Sequence, residues 1–375
     1  ETVSTTLFFE ALDLNGVADK LIADIPETLS RLTATDAAST VPEPVTEPVP
    51  VNSPAPRIQR TPADNNRDIA IIGMGGRYPG ARDLGQFWEN LKAGRHDFTP
   101  IPEHRWPHEQ IYFPERSVAG KSTIQTGGFL EDIDKFDPRY FGISQSDAEC
   151  MSPEVRLLLE CAVETFENAG YGRETLADQM QGDVGVLVGT MSNHYNLYGV
   201  QNMLTRGARA SGSYTGTIPN MISYFYRLTG PSIFVDTMCS QSLTAVDLGV
   251  RLLREGQCRM VLAGGINLLL HPLNLISSSQ EHFTSNRAEV IRSFGLGADG
   301  TVLGEGAGLV LLKPLADAER DGDNIQAVIK GTAMANAGPR NGFTVPNPAM
   351  QTKAVTDALA DAGLRPDDIS YIETH

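Results

Sequence analysis

The sequence predicts an α/β fold. Short apolar runs alternate with longer helical patterns, one such run feeds directly into an amphipathic helix, and the composition is that of a globular chain. At 375 residues, 41% apolar and 20% charged, the polypeptide can bury a large core. From Arg67 onward the elements follow in order. Ile69-Ala70-Ile71-Ile72 and Val184-Gly185-Val186-Leu187-Val188 read as buried strands, with a long helix over residues 153–169 between them. The extended run Ser232-Ile233-Phe234-Val235-Asp236 leads to a helix beginning at Ser240, in which Leu243, Val246, Leu248, Leu252 and Leu253 recur near the helical period and Gly256 is the stop. Residues 260–263 complete a strand–helix–strand unit, which normally forms a right-handed crossover between parallel strands. Residues 309–312 and 327–329 are two further strands, separated by a helical stretch over 315–320.

Residues 35–66 differ in character. Pro42, Pro44, Pro48, Pro50, Pro54, Pro56 and Pro62 stand among Ala, Thr, Val and Glu, a composition that favours an extended, semi-rigid linker without a core. The net charge of −16 argues against a general nucleic-acid surface, which needs clustered cations. No apolar run reaches the roughly 20 residues that cross a bilayer, and no secretory leader pattern opens the chain, so the cytoplasm is the expected compartment. Cys150, Cys161, Cys239 and Cys258 lack metal-ligand or disulfide spacing, and no metal is expected. Cys161 reads as a core residue. His96, His104, His108, His194, His271 and His282 show no mutual metal-binding spacing, and each is expected to be a surface or packed residue. Because residue 1 is Glu and the last motif is cut short, the chain reads as a piece open at both ends.

Cys239 is the residue that points to chemistry. Most free cysteines simply pack in cores, but this one lies where a strand meets the first turn of a helix. Unpaired amides and the positive end of the helix dipole favour thiolate over thiol there. The same amides can receive an oxyanion forming on an attacked thioester carbonyl.

The segment around it, Gly230-Pro231-Ser232-Ile233-Phe234-Val235-Asp236-Thr237-Met238-Cys239-Ser240-Gln241-Ser242, resembles the active-site segment of the β-ketoacyl synthases of modular polyketide synthases. The resemblance covers roughly residues 67–375 and rests on further segments in the expected order. They include Ile69 to Gly80, Phe87-Trp88-Glu89-Asn90-Leu91, Arg105-Trp106, Gly127-Gly128-Phe129-Leu130, Phe136-Asp137-Pro138-Arg139-Tyr140-Phe141, Arg156-Leu157-Leu158-Leu159-Glu160, Gly304-Glu305-Gly306-Ala307-Gly308 and Tyr371-Ile372-Glu373-Thr374-His375. Residues 1–34, with Leu14, Val17, Ala18, Leu21 and Ile22 at helical spacing, resemble the last two helices of an acyl carrier protein. The domain expectation is therefore a carrier-protein remnant over 1–34, the Pro-rich linker over 35–66 and a C-terminally truncated ketosynthase over 67–375.

The resemblance implies a thiolase-like fold, two similar halves in five layers, with the second half incomplete. It implies that Cys239 is the nucleophile, taking an acyl chain from a carrier-protein thioester for decarboxylative Claisen condensation with a malonyl unit. His375, preceded by a strand over 371–374, matches the first catalytic histidine. The second histidine and the lysine would lie beyond residue 375, so the piece itself is expected to be inactive. The implied partners are acyl carrier proteins, whose phosphopantetheine arm is the only cofactor involved, and a second copy in a homodimer. A non-elongating gate that only accepts and passes on acyl chains is the alternative, and a stand-alone cysteine hydrolase is disfavoured by the carrier-like segment and linker. Asn193-His194-Tyr195-Asn196-Leu197-Tyr198-Gly199, Leu270-His271-Pro272 and residues 341–348 resemble trans-acyltransferase systems. The chain departs from the family at Ser152-Pro153-Glu154-Val155, Asn220-Met221, residues 285–291, Thr301 and Gln241.

Two glycine-rich segments receive other readings. Gly73-x-Gly75-Gly76 is rejected as a dinucleotide fingerprint, because Pro79 and Gly80 interrupt the helix that should follow. Gly304-Glu305-Gly306-Ala307-Gly308 lacks the Lys-Ser/Thr of a phosphate loop and leads into a strand, so Glu305 is expected to be structural.

Overall fold

β1 (Ile69–Arg77) opens on the apolar run predicted for it and continues unbroken through Gly73, Gly75 and Gly76. The computed structural model describes residues 18–19, 22–23, 25–27, 67–115, 118–207, 212–281, 283–285, 291–339 and 345–375. The chain divides into two units, one combining residues 1–62 with 337–347 and the other 63–336 with 348–375. In the first, the described residues include helical positions at Ala18-Asp19, Ile22-Ala23 and Pro26-Glu27, and Asn347 Nδ2 donates to the Ala337 carbonyl at 2.6 Å. The Pro-rich segment and most of the carrier-like stretch lie outside the described residues.

In the second unit, β1 is followed by α1 (Leu84–Lys92), the short paired strands β2 (Thr99–Pro100) and β3 (Thr126–Gly127), α2 (Gln145–Cys150) and α3 (Pro153–Asn168). Next come β4 (Val184–Thr190), α4 (Tyr195–Arg206), α5 (Thr217–Tyr226), β5 (Ser232–Phe234), α6 (Gln241–Arg254), β6 (Met260–Asn267) and α7 (Leu273–Gln280). β7 (Gly306–Pro314), α8 (Leu315–Asp321), β8 (Ala327–Ile329) and α9 (Pro348–Ala362) complete it. Six strands form one mixed sheet in the order β5-β4-β6-β7-β1-β8. β4 runs parallel to both β5 and β6, so the unit predicted around Cys239 straddles β4. β7 and β1 enter antiparallel.

Alternation along the strands divides the core between two faces. Ala70, Val186, Leu262 and Leu311 point into the cluster built on α3 and α5, while Ile69, Leu187, Val261 and Leu312 point into the cluster under α6. Because both faces are covered, β4 is buried at every position, and its sequence reads as a continuous apolar run. A buried cation also survives here. Lys313 in β7 is held by Tyr171, Asp321 and Asp323 at 2.6–2.9 Å.

The glycines of β1 serve helix packing. A Cβ on Gly73 would stand 2.5 Å from the Thr165 carbonyl oxygen, and one on Gly75 would stand 2.5 Å from Thr165 Oγ1. The strand backbone thus lies directly against α3 at both glycines. Gly73→Ala should cost about 1–3 kcal/mol, because the opposing atom is backbone and cannot rotate away. The shift in urea midpoint measures it.

One expectation is corrected. The strand expected over residues 371–374 does not form; residues 369–375 are irregular and exposed, since no strand edge pairs with them. The described residues build one large sheet with helices on both faces, three layers, and β8 joins this sheet at the β1 edge.

Glu154 is the one carboxyl of α3 that departs sharply from ordinary behaviour. It is 1% exposed, and neither carboxylate oxygen has a hydrogen-bond partner. A helix first turn favours negative charge, but burial outweighs that, raising the pKa to about 7. The folded state therefore binds this proton more tightly than the unfolded chain. Stability is fullest below the ordinary carboxylate pKa and declines as pH rises through 7, by a penalty on the order of 3 kcal/mol. Glu154→Gln should remove that decline and be the more stable protein at pH 8, as read from urea unfolding across pH 4.5–8.

Candidate active site

Cys239 stands on an elbow between β5 and α6. The Val235 amide donates to the Val188 carbonyl at 2.9 Å, carrying the extended backbone one residue past β5. Asp236 Oδ1 then accepts the Met238 amide at 3.2 Å, and Met238 adopts φ +55°, a left-handed conformation unusual for a residue with a side chain. Met238–Ser240 form a single tight turn, and α6 starts at Gln241. No side chain caps this helix; the Ser240 hydroxyl turns back to the Thr237 carbonyl at 3.0 Å. The first-turn amides consequently have no side-chain acceptor.

The thiol of Cys239 is exposed, whereas Cys161 and Cys258 are buried. Burial pushes those two thiols up, to about 12 and about 11, leaving them protonated and inert. Cys239 lines a pocket of about 580 Å³ together with Met191, Met238, Leu243 and the central strands. Glycines make the room. Gly75, Gly264, Gly265, Gly306 and Gly308 all line it, and at Gly264, with φ +155°, a Cβ would fall 2.1 Å from the Gly308 carbonyl oxygen. Gln241, a departure noted in the sequence, is buried over Gly189, where a Cβ would come 2.9 Å from its Cγ and Oε1. The missing side chain on β4 accommodates the larger residue.

Glu305 is structural, as expected. Its carboxylate accepts from the Leu130 and Leu269 amides, each at 2.8 Å, and from Arg105 at 2.9 Å, tying three loops together at the start of β7. Burial raises its pKa, while Arg105 and the two amides pull it back. The Arg105 side chain is itself 5% exposed. In the sequence Arg105 stands only as part of the Arg105-Trp106 motif, and nothing there marks its pairing with Glu305 beyond an arginine beside a tryptophan.

The other predicted site residue, His375, is exposed and does not line the pocket that holds Cys239. His194 and His271 do come together, with ring centroids 6.1 Å apart, a proximity no linear spacing could reveal. Burial lowers the pKa of both. Among the described residues, no group of three or more His, Cys, Asp or Glu side chains could hold a metal ion. His282 lies outside them.

A strand–turn–helix cysteine above a glycine-walled pocket is an arrangement suited to nucleophilic chemistry at a thiol. The family comparison agrees. Residues 66–318 match the model of the β-ketoacyl synthase N-terminal domain and residues 326–375 that of the C-terminal domain, so the chain belongs to the β-ketoacyl synthase family. It is 40% identical over 390 residues to the polyketide synthase PksL of Bacillus subtilis, covering all of this chain and 9% of that one. The polyketide synthase ThaG of Burkholderia thailandensis is 46% identical over 315 residues, covering 84% of this chain and 6% of that one. Among solved structures, the oxazolomycin ketosynthase domain OzmH KS7 of Streptomyces albus JA3453 superposes with a TM-score of 0.77 at 43% identity, covering 80% of this chain and 51% of that one. The ketosynthase from module 6 of the bacillaene synthase of Bacillus subtilis 168 gives 0.74 at 36%, covering 82% and 50%. The fold is therefore thiolase-like. The chain spans under a tenth of these curated relatives and about half of these solved ketosynthases.

Glu305→Ala would strand the buried Arg105 guanidinium without its carboxylate. A loss of about 3–5 kcal/mol is expected, measurable by chemical denaturation.

Proposed function

We propose that this chain is ketosynthase sequence of a polyketide synthase, with Cys239 as the acyl-accepting nucleophile. The observation that carries the reading is the exposed thiol on its elbow at a pocket of about 580 Å³. Cys239 sulfur attacks the carbonyl of an acyl thioester on a carrier protein, a C–S bond forms, and the phosphopantetheine thiol leaves. Loss of CO₂ from a malonyl thioester yields an enolate, which attacks the acyl carbon and releases the Cys239 thiolate. The product is a β-ketoacyl thioester on the carrier. Uncapped amides at the start of α6 are suited to the oxyanion of the first step. His375 is assigned as the first donor to the enolate oxygen on the strength of Tyr371-Ile372-Glu373-Thr374-His375.

The same reading takes residues 1–34 as the tail of an acyl carrier protein, 35–66 as linker and 67–375 as ketosynthase. The segments around Asn193, His271 and Asn347 support the trans-acyltransferase type. A homodimer is supported by β5, an edge strand whose Ile233 is exposed. No helix among the described residues is long and apolar enough to cross a membrane, and the cytoplasm is the proposed compartment.

Incubation with a short acyl thioester followed by intact and peptide mass spectrometry tests the nucleophile. A single acyl adduct on Cys239 is expected, absent from Cys239→Ala, with Cys161 and Cys258 unmodified. Adducts spread over several cysteines, or persisting in the variant, would refute it. In the parent polypeptide, acylation without decarboxylation of a malonyl thioester would identify the non-elongating gate.

A further inference from the structure

Away from Cys239, two arginines share a pocket of about 520 Å³ with Ser223, Tyr224, Leu228 and Thr229. Arg173 follows the end of α3, and Arg227 closes α5. The Thr229 amide donates to the Gly182 carbonyl at 2.6 Å, which sets the pocket at the edge of the sheet where β4 and β5 begin. Cys239 lies past the opposite end of β5. At about 3.3 Å per extended residue, roughly 20 Å of chain separates the two regions.

Neither arginine forms an ion pair among the described residues, whereas Arg77, Arg105 and Arg254 are each held by a carboxylate. The Arg173 guanidinium carbon lies 4.6 Å from the Phe225 ring centroid, a cation–π contact that does not use its N–H donors. Arg227 takes φ +55° at the end of α5, a position usually given to glycine, so a side chain is kept there at a steric cost. The negative end of the α5 dipole accounts for one cation at this place. It does not account for a second one, delivered from another segment into the same pocket. Both arginines are exposed in the same concavity, open to a shared anion from solvent, in a chain whose net charge is otherwise −16.

We propose that the Arg173–Arg227 pocket binds the phosphate group of a small phosphate ester. A phosphate offers three terminal oxygens and up to two charges, enough to engage two guanidinium forks together; a carboxylate satisfies one fork and neutralises one charge.

Isothermal titration of the full chain with inorganic phosphate, at constant ionic strength, tests the site. Glutarate is the dicarboxylate comparison. Saturable phosphate binding is expected, weakened roughly tenfold by either Arg173→Gln or Arg227→Gln and lost in the double variant. Arg227→Lys should retain part of the affinity, since it keeps the charge without the fork. Circular dichroism and the iodoacetamide labelling rate of Cys239 confirm that each variant is folded. Absence of saturable phosphate binding, unchanged affinity in the folded double variant, or glutarate binding as tightly as phosphate would each overturn the proposal. Because none of these readouts uses acyl transfer, the result is independent of the function assigned to Cys239.

Discussion

The backbone of β1 lies against α3 with no side chain between them at Gly73 and Gly75, and the layers on both sides of the sheet take their positions from that contact. With α3 seated this closely, the alternate residues of β1, β4, β6 and β7 reach its apolar face, and the intervening ones are committed to the face under α6. On that second face the glycines of β6 and β7 leave space beside the helix instead of filling it. One structural economy, backbone in place of side chains, therefore sets the helix spacing on one side and hollows the pocket on the other.

The pocket would have no chemical character without the elbow that presents Cys239. A left-handed Met238, held by Asp236, turns the chain sharply enough for a thiol to sit exposed at the head of an otherwise well-packed helix. Burial separates Cys239 from two of the other cysteines. Cys161 and Cys258 are chemically identical to Cys239, yet their surroundings oppose ionisation, whereas Cys150 is half-buried and the elbow thiol is exposed. The turn leading into β7 is stiffened by Glu305, whose three donors come from segments far apart in sequence.

Buried charge in this protein is arranged with care in some places and not in others. Lys313 is met by carboxylates that outweigh its desolvation, the Arg105–Glu305 pair is compensated only in part, and Glu154 is buried without a partner and retains its proton to higher pH. The first turn of α6 shows a complementary feature. Leu243, one of the apolar residues that mark the helix in the sequence, is 74% exposed where it lines the Cys239 pocket, so its place in the helical period does not bury it in the core.

Local pattern was sufficient for the large elements. The runs at Ile69, Val184, Met260 and Ala327 became strands, the stretch from Pro153 became α3, and the rejected dinucleotide motif proved to be packing glycine, because each depended on neighbours close in sequence. Cys239 was legible for the same reason, since a strand, a turn and a helix start are written consecutively. The expected strand before His375 was not formed, because a strand also requires an edge to pair with, and the sequence of one segment does not specify it. Tertiary structure alone decided that Arg105 meets Glu305 across 200 residues, that His194 faces His271, and that Arg173 and Arg227 enter one pocket. Such pairings depend on where the strands are ordered in the sheet, and that order is settled by packing over the whole core.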